Sequence, residues 1–499
     1  MIKPNILWYC TDQQRFDTIH ALGNTVIHTP RLDAFISSGV AFTKTYTQSP
    51  ICTPSRASFL TGRYPASHHV YRNGNERFPK NETLVTKMFS DAGYDCGLVG
   101  KLHLAGSQYE REARSDDGYR YYQWSHHPYP NIKGNLYIDW LRNEKHQDVD
   151  KLFSNIKGSY GIGLPEELHQ TTWCTEKALE FITEKRDTPW LLSINPFGPH
   201  PTFHPPKEYL DRYDVKQIPY PLFRETDIIR QKVFQNIDQQ TVYAVDPYKL
   251  LESGVPENSI PSLDLPKDQM ASIAPTVYDP RLMKACYYAE IELIDTQFGR
   301  MIDTLSESGQ LENTIVIFTS DHGELLGDHG LLFKGCRFFE SLVHVPLIIS
   351  WPKQWKSNIK STALVELIDI APTLLEAAGL QIPYYMQGKS LLGLLEGRVN
   401  PHTHKDYVIC EYNDAMGQGS TANFYNASHG TMYYDGRYKI IVYHGQDIGE
   451  LYDHKQDPNE FDNLWDSEAH QFLKCTLLKR HFDAMMKASS PGIRRTKEY

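Results

Sequence analysis

The run Cys52-Thr53-Pro54-Ser55-Arg56, continued by Ala57 to Leu60 and closed by Thr61-Gly62-Arg63, puts a thiol at the threshold of a helix. Pro54 suits a first helical position, and Ser55 to Leu60 can propagate the helix from it. The free N–H groups at a helix N-terminus favour an anion beside Cys52. Arg56 and Arg63 lie close enough in sequence to neutralise more of that charge. This is where an anionic tetrahedral group would be attacked. The cysteines at 10, 96, 174, 286, 336, 410 and 475 form no CxxC pairs or tight clusters, and they read as reduced, buried thiols.

Two acid-plus-neighbour pairs each follow an apolar run: Asp12 and Gln13 after Ile6 to Cys10, and Asp321 and His322 after Ile315 to Thr319. An isolated Asp in such a place serves equally as a turn or helix cap. Two buried strands that deliver such pairs to one sheet edge describe a metal site, because ligands gather at the carboxyl ends of strands in open α/β sheets. Asp12, Gln13, Asp321 and His322 offer mostly oxygen with one imidazole. That set suits a hard dication, Ca²⁺ first, with Mn²⁺ or Mg²⁺ also compatible.

Lys101-Leu102-His103 follows the strand-like run Tyr94 to Val99 through Gly100. If the extended geometry continues, Lys101 and His103 project to one face and set a cation beside a titratable base. His200 leaves another apolar run, Trp190 to Asn195, among prolines, where it reads equally as a rigid loop residue. Asn73 is a substrate contact or a turn residue. The aromatic stretch Tyr119 to Tyr129 is a stacking wall for a sugar ring or loop packing.

Positioning these groups requires a sheet, and the chain supplies one. Apolar runs alternate with helical patterns, which predicts an α/β domain with a large, mostly parallel sheet between helices. Strands are expected at Ile6 to Cys10, Val40 to Thr45, Tyr94 to Val99, Trp190 to Asn195 and Ile315 to Phe318. Pro346 to Trp351 reads as another buried strand of the parallel type. Helices are expected at Arg31 to Ser38, Thr83 to Ala92, His169 to Glu184 and Ala289 to Leu305, and over Ile368 to Ala378. Beyond these the texture changes. Short strands at Tyr407 to Glu411, Met432 to Tyr434 and Lys439 to His444, with a helix at Glu468 to Ala488, predict a smaller α+β domain. The boundary is placed at 398/399.

With 499 residues, 40% hydrophobic and 22% charged, the chain can bury a large core. The formal net charge of -10 argues against a nucleic-acid partner. No apolar run is long enough to span a bilayer. Met1-Ile2-Lys3-Pro4 leads directly into the first strand without a leader-like segment, so a cytoplasmic location is expected. Oligomeric state is not legible.

The pattern C-x-P-S-R followed by L-T-G-R resembles the maturation signature of the type I sulfatases, members of the alkaline phosphatase superfamily whose Cys is oxidised to formylglycine. Further stretches are similar to that family, from Pro4-Asn5-Ile6 through Asp12 to Glu450-Leu451-Tyr452-Asp453. The resemblance implies a formylglycine nucleophile from Cys52, made by a maturation enzyme. It implies a metal at Asp12, Gln13, Asp321, His322 and residue 52. It also implies sulfate contacts from Arg56, Lys101 and Lys334, with His200 facing the leaving oxygen and His103 as base. Lys334 closes the run from Gly323 that looks like the family's approach to a sulfate-binding lysine, and the C-terminal domain would carry a four-stranded antiparallel sheet. Two positions depart from the pattern, Gln13 for a common Asp and His322 for a common Asn, and they lower the negative charge of the metal site.

The expected function is hydrolysis of a small sulfate ester, such as a sulfated mono- or disaccharide or choline sulfate. The Gln and His variant also resembles phosphonate monoester hydrolases, so a phosphonate monoester or phosphodiester substrate is the first alternative. A non-catalytic binding protein on the same fold is the second. Specificity is expected from Gly106 to Pro165 and Phe203 to Pro280, which carry no clear motif.

Overall fold

The computed structural model describes residues 3–107, 109–130, 132–241, 243–252, 274–414, 428–494 and 496–497. In chain order its first strands are β1 (Asn5–Thr11), β2 (Val40–Phe42), the two-residue β3 (Thr45–Tyr46), β4 (Asp95–Gly100) and β5 (Tyr121–Trp124). They are followed by β6 (Trp190–Asn195), β7 (Thr314–Ser320), β8 (Leu347–Ser350), β9 (Ile359–Ser361) and β10 (Val365–Glu366). The last four are β11 (Val408–Asn413), β12 (His429–Tyr434), β13 (Tyr438–His444) and β14 (Gly449–Asp453).

Eight of these form one sheet in the order β5-β4-β6-β1-β7-β8-β2-β9. β1 runs parallel to both β6 and β7, and β4 runs parallel to both β5 and β6. Side chains alternate between two cores: Ile6, Trp8 and Cys10 pack with Phe59 and Leu374 on one face, while Leu7 and Tyr9 pack with Phe298 and Phe181 on the other. Helices therefore cover both faces, which is why the strands read as continuous apolar runs.

That same continuity hides direction. The Pro346 to Trp351 strand is found at β8, but it is antiparallel to both β7 and β2. A strand buried on both faces carries no sequence mark of its polarity. The run Val40 to Thr45 splits into β2 and β3, and β3 leaves the sheet to pair with β10. The long helix starts nine residues earlier than its periodicity suggests and spans Pro280–Glu307. Asp279 caps it by accepting from the N–H groups of Arg281 and Leu282, and its first turns are buried almost all round, which erases the 3.6-residue pattern.

The chain closes with the antiparallel sheet β11-β12-β13-β14 and the helix Gln471–Ala488, whose Leu477, Ala484 and Ala488 pack on Ile409, Ile440 and Leu451. β14 was not anticipated as a strand. Its opposite face meets Cys336, Phe338 and Val343 of the larger domain. Among the described residues no helix is long and apolar enough to cross a membrane. Six of the seven remaining cysteines are buried as expected, whereas Cys475 is exposed on the last helix. The aromatic stretch from Tyr119 is the edge strand β5 and its approach: Tyr119 bonds Ser193, and Trp124 bonds Glu112 inside the core. The segments expected to carry specificity include 253–273, which lies outside the described residues.

Candidate active site

Five adjacent parallel strands bring their carboxyl ends together. Registers Thr11↔Ser320 and Gly100↔Asn195 place Asp12 beside Asp321, and Lys101 beside the exit of β6. Gly100 has φ of +93°, and a Cβ there would lie 2.0 Å from the Asn195 carbonyl oxygen, so only glycine lets β4 turn in towards the centre.

The helix Cys52–Thr61 starts at Cys52 itself, not at Pro54, and it is buried throughout. No side chain of residue 51 caps it. Instead Asn73 Oδ1 accepts from the Thr53 N–H at 3.0 Å, so Asn73 holds the first turn in place. Arg63 departs from expectation. Its guanidinium turns away to both carboxylate oxygens of Glu82 at 2.6 and 2.8 Å, a partner nineteen residues on that sequence proximity to Cys52 conceals.

Cys52 Sγ lies at the junction of the other groups. It stands 2.9 Å from Lys334 Nζ, 3.2 Å from His322 Nε2 and 3.6 Å from Asp12 Oδ1. Lys334 Nζ also reaches Gln13 Oε1 at 2.8 Å and His200 Nε2 at 3.0 Å. Lys101 pairs with Asp12, and Arg56 Nε donates to Asp321 Oδ2 at 2.8 Å. Arg56 Nη1 binds Asn195 Oδ1, while its buried Nη2 makes no hydrogen bond among the described residues and stands 3.7 Å from Asp12 Oδ2. That unmade hydrogen bond leaves Nη2 able to donate to an anion.

The charges reinforce one another. Burial and Asp12 push the Cys52 thiol up, but the Lys101 and Lys334 ammonium groups act against them and the thiol is lowered. Burial would raise Asp12, yet Lys101, Arg56 and Lys334 hold its carboxyl well below the usual range. Burial and Lys334 keep His200 neutral, and burial and Lys101 do the same for His103. Three cations, Arg56, Lys101 and Lys334, face two carboxylates, Asp12 and Asp321. The pocket is built to receive negative charge.

Asp12, Cys52, Asp321 and His322 offer ligand atoms that all lie within 4.8 Å of one another. His322 Nδ1 faces the Gly323 carbonyl at 2.8 Å and must donate to it, which turns the Nε2 lone pair towards residue 52. Two carboxylates, the Gln13 carbonyl and a pre-set imidazole fit a hard divalent cation. Glu340, His454 and Glu460 also converge, but the Lys439 ammonium stands among them at 2.6 and 2.7 Å from the two carboxylates and takes the cation's place.

His103 reaches the cluster by a route other than the one expected. Its φ is +57°, so the chain has left extended geometry, and a left-handed turn presents its ring beside Lys101. His329 packs elsewhere, stacked on Phe339 and bonded to Asp227. Sequence reading missed three supports. Asn195 fixes Arg56, Tyr287 OH donates to the Gln13 carbonyl at 2.7 Å, and buried Glu324 accepts from the Gln13 side chain. The only sequence mark of Glu324 is its place two residues after His322. Glu324 also accepts from the N–H groups of Leu326 and Phe333, so it orients the Gln13 amide. Glu324→Ala is expected to weaken divalent-metal binding by about 10- to 100-fold, as supports of metal ligands do. Competition with a chelator measures it, and an unchanged affinity would remove Gln13 from the ligand set.

Comparisons with known proteins agree with this geometry. A family model described as Sulfatase matches residues 4–380, and one described as N-sulphoglucosamine sulphohydrolase, C-terminal, matches residues 327–487. An arylsulfatase of Clostridium perfringens is 29% identical over 496 residues, covering 96% of this chain and 94% of that protein. An N-acetylglucosamine-6-O-sulfatase of Bacteroides thetaiotaomicron is 26% identical, covering 93% and 83%. Among solved structures, the phosphonate monoester hydrolase of Agrobacterium radiobacter shares the fold with a TM-score of 0.79 at 24% identity, covering 98% of this chain and 96% of that one.

Proposed function

The chain belongs to the sulfatase family, and from that premise we propose that it releases sulfate from a small sulfated carbohydrate with an oxygen nucleophile made from Cys52. It is a sulfuric ester hydrolase. The observation that carries the reading is the position of Cys52 Sγ, in contact at once with Lys334, His322 and Asp12. Formylglycine at position 52, installed by a maturation enzyme, would supply an oxygen nucleophile for sulfur, and a divalent ion, Ca²⁺ by its oxygen-rich donors, would supply neutralising charge at the sulfate.

Asp12, Gln13, Asp321 and His322 would hold that ion. Arg56, Lys101 and Lys334 present positive charge to the sulfate oxygens, already fixed by their buried partners and therefore free of reorganisation cost. His200 donates Nδ1–H to the Pro201 carbonyl at 2.6 Å, which leaves Nε2 facing the pocket beside Lys334. Lys334 donates to that Nε2, and the proton relayed through it is the one the leaving alcohol takes. His103, neutral and beside Lys101, is the base that accepts the proton when sulfate departs.

A sulfated sugar is favoured by the named relative that acts on N-acetylglucosamine 6-O-sulfate. The test is anion release by matured enzyme from sulfated monosaccharides, choline sulfate and a phosphonate monoester. Sulfate from a sugar is expected to appear at least about tenfold faster than any phosphonate product, since polar groups placed for one substrate discriminate strongly against another. The reverse order would move the protein to phosphonate monoester hydrolysis, the reading that Gln13 in place of a second carboxylate favours.

A further inference from the structure

Four of the five converging strands supply the residues described above; the fifth, β5, supplies His126, two residues past its end at Trp124. It lies inside the aromatic stretch Tyr119 to Tyr129, which the sequence offers as a stacking wall for a sugar ring, but the histidine itself belongs to no motif there. In the fold its ring meets that of His103 edge-on, with centroids 4.4 Å apart. The two facing imidazoles share one feature: Nδ1 of His103 and Nδ1 of His126 are both buried without a hydrogen-bond partner among the described residues. Leaving two such atoms unmatched is costly unless a ligand completes them.

The burial gradient says from which side that ligand comes. Asp12, Cys52 and Asp321 are 0% exposed and Lys101 is 1% exposed, whereas His103 and His200 are 6% and 9% exposed and His126 is only half-buried. The pocket therefore opens along its histidine wall, and the alcohol portion of a sulfate ester must lie against it. Burial and the Lys101 charge hold His126 well below its ordinary range, so it faces the ligand as a neutral imidazole. Each neutral ring has one donor and one acceptor nitrogen, which complements a hydroxyl group and does nothing for a second anion.

We infer that His126 is a substrate-binding residue which, paired with His103, hydrogen-bonds a hydroxyl of the leaving alcohol and so selects a polyhydroxylated substrate. The inference rests on the sulfatase reading and deepens it. It assigns the substrate preference to one residue within the Gly106 to Pro165 segment from which specificity is expected.

The test compares wild type, His126→Ala and His126→Gln on sulfated monosaccharides, N-acetylglucosamine 6-sulfate among them, and on 4-nitrophenyl sulfate, which has no hydroxyl. His126→Ala is expected to lose kcat/KM at least about tenfold more on the best sugar than on the aryl ester, in line with one lost hydrogen bond. His126→Gln, which can hydrogen-bond a hydroxyl but transfers no proton, should restore most of that difference. Equal losses on both substrates, or no restoration by Gln, would overturn the inference. So would a wild-type enzyme that cleaves the aryl ester and none of the sugars, and the sulfatase reading would then still stand. A wild type that cleaves neither class of sulfate ester would defeat both.

Discussion

Cys52→Ala is expected to lower sulfate release by at least about 10⁴-fold, the scale on which removal of a nucleophile is felt, while the protein stays folded. The side chain is fully buried, so a cost is expected, but a small one. Sγ is a single atom, and Lys334 Nζ keeps Gln13 Oε1 and His200 Nε2 when it is gone. A loss of about 1 kcal/mol follows for so small a cavity, with a melting shift of no more than about 3 °C in a chain of this size. The paired measurement is turnover and thermal melting on the same preparation, with peptide mass mapping of residue 52 in the wild type. An aldehyde in place of the thiol, together with a folded and inactive variant, is the expected result. A folded variant with near-wild-type turnover would end the mechanism. An unmodified thiol in protein from a host that carries the maturation enzyme, with no metal bound, would support a binding protein that has kept the fold.

The residues legible in the sequence are those whose role is written in local spacing. Asp12 and Asp321 each end a buried apolar run, and parallel pairing in register puts two such endings side by side without further information. Cys52 and Arg56 share one helix, where a spacing of four already places them on one face. What stayed hidden depends on contacts between distant segments. Arg63 could be assigned to the anion site only while Glu82 was out of view, and Glu324 has no role until Gln13 folds against it. The direction of β8 and the early start of the Pro280 helix were lost for a related reason. Burial on every side removes the alternation from which direction and boundaries are read. His126 is the sharpest case: its stretch stood out for its aromatic rings, but a four-residue edge strand with three half-buried side chains gives no pattern to mark the histidine past its end.

The second large effect is expected at His200, and its size should depend on the substrate. His200 Nδ1 is committed to the Pro201 carbonyl, so only Nε2 can deal with the substrate, and Lys334 at 3.0 Å is its nearest proton source. An alkyl leaving group such as a sugar hydroxyl departs as a poor alkoxide unless it is protonated in the transition state, whereas nitrophenolate leaves unaided. His200→Ala should therefore cost about 10² to 10⁴-fold in kcat on a sulfated sugar, the usual range for a general acid. On 4-nitrophenyl sulfate the cost should stay below about tenfold, because the acid contributes little there. Lys334→Ala distinguishes the donor from its supplier. Lys334 also touches residue 52 and Gln13, so its loss should slow both substrates heavily. Choline sulfate, an alkyl ester without a hydroxyl, separates the two histidines if it is turned over: His200→Ala should slow it like a sugar, and His126→Ala should slow it like the aryl ester. If His200→Ala slowed all esters equally, the imidazole would be holding Lys334 in place, and the proton for the leaving alcohol would have to come from elsewhere on the histidine wall.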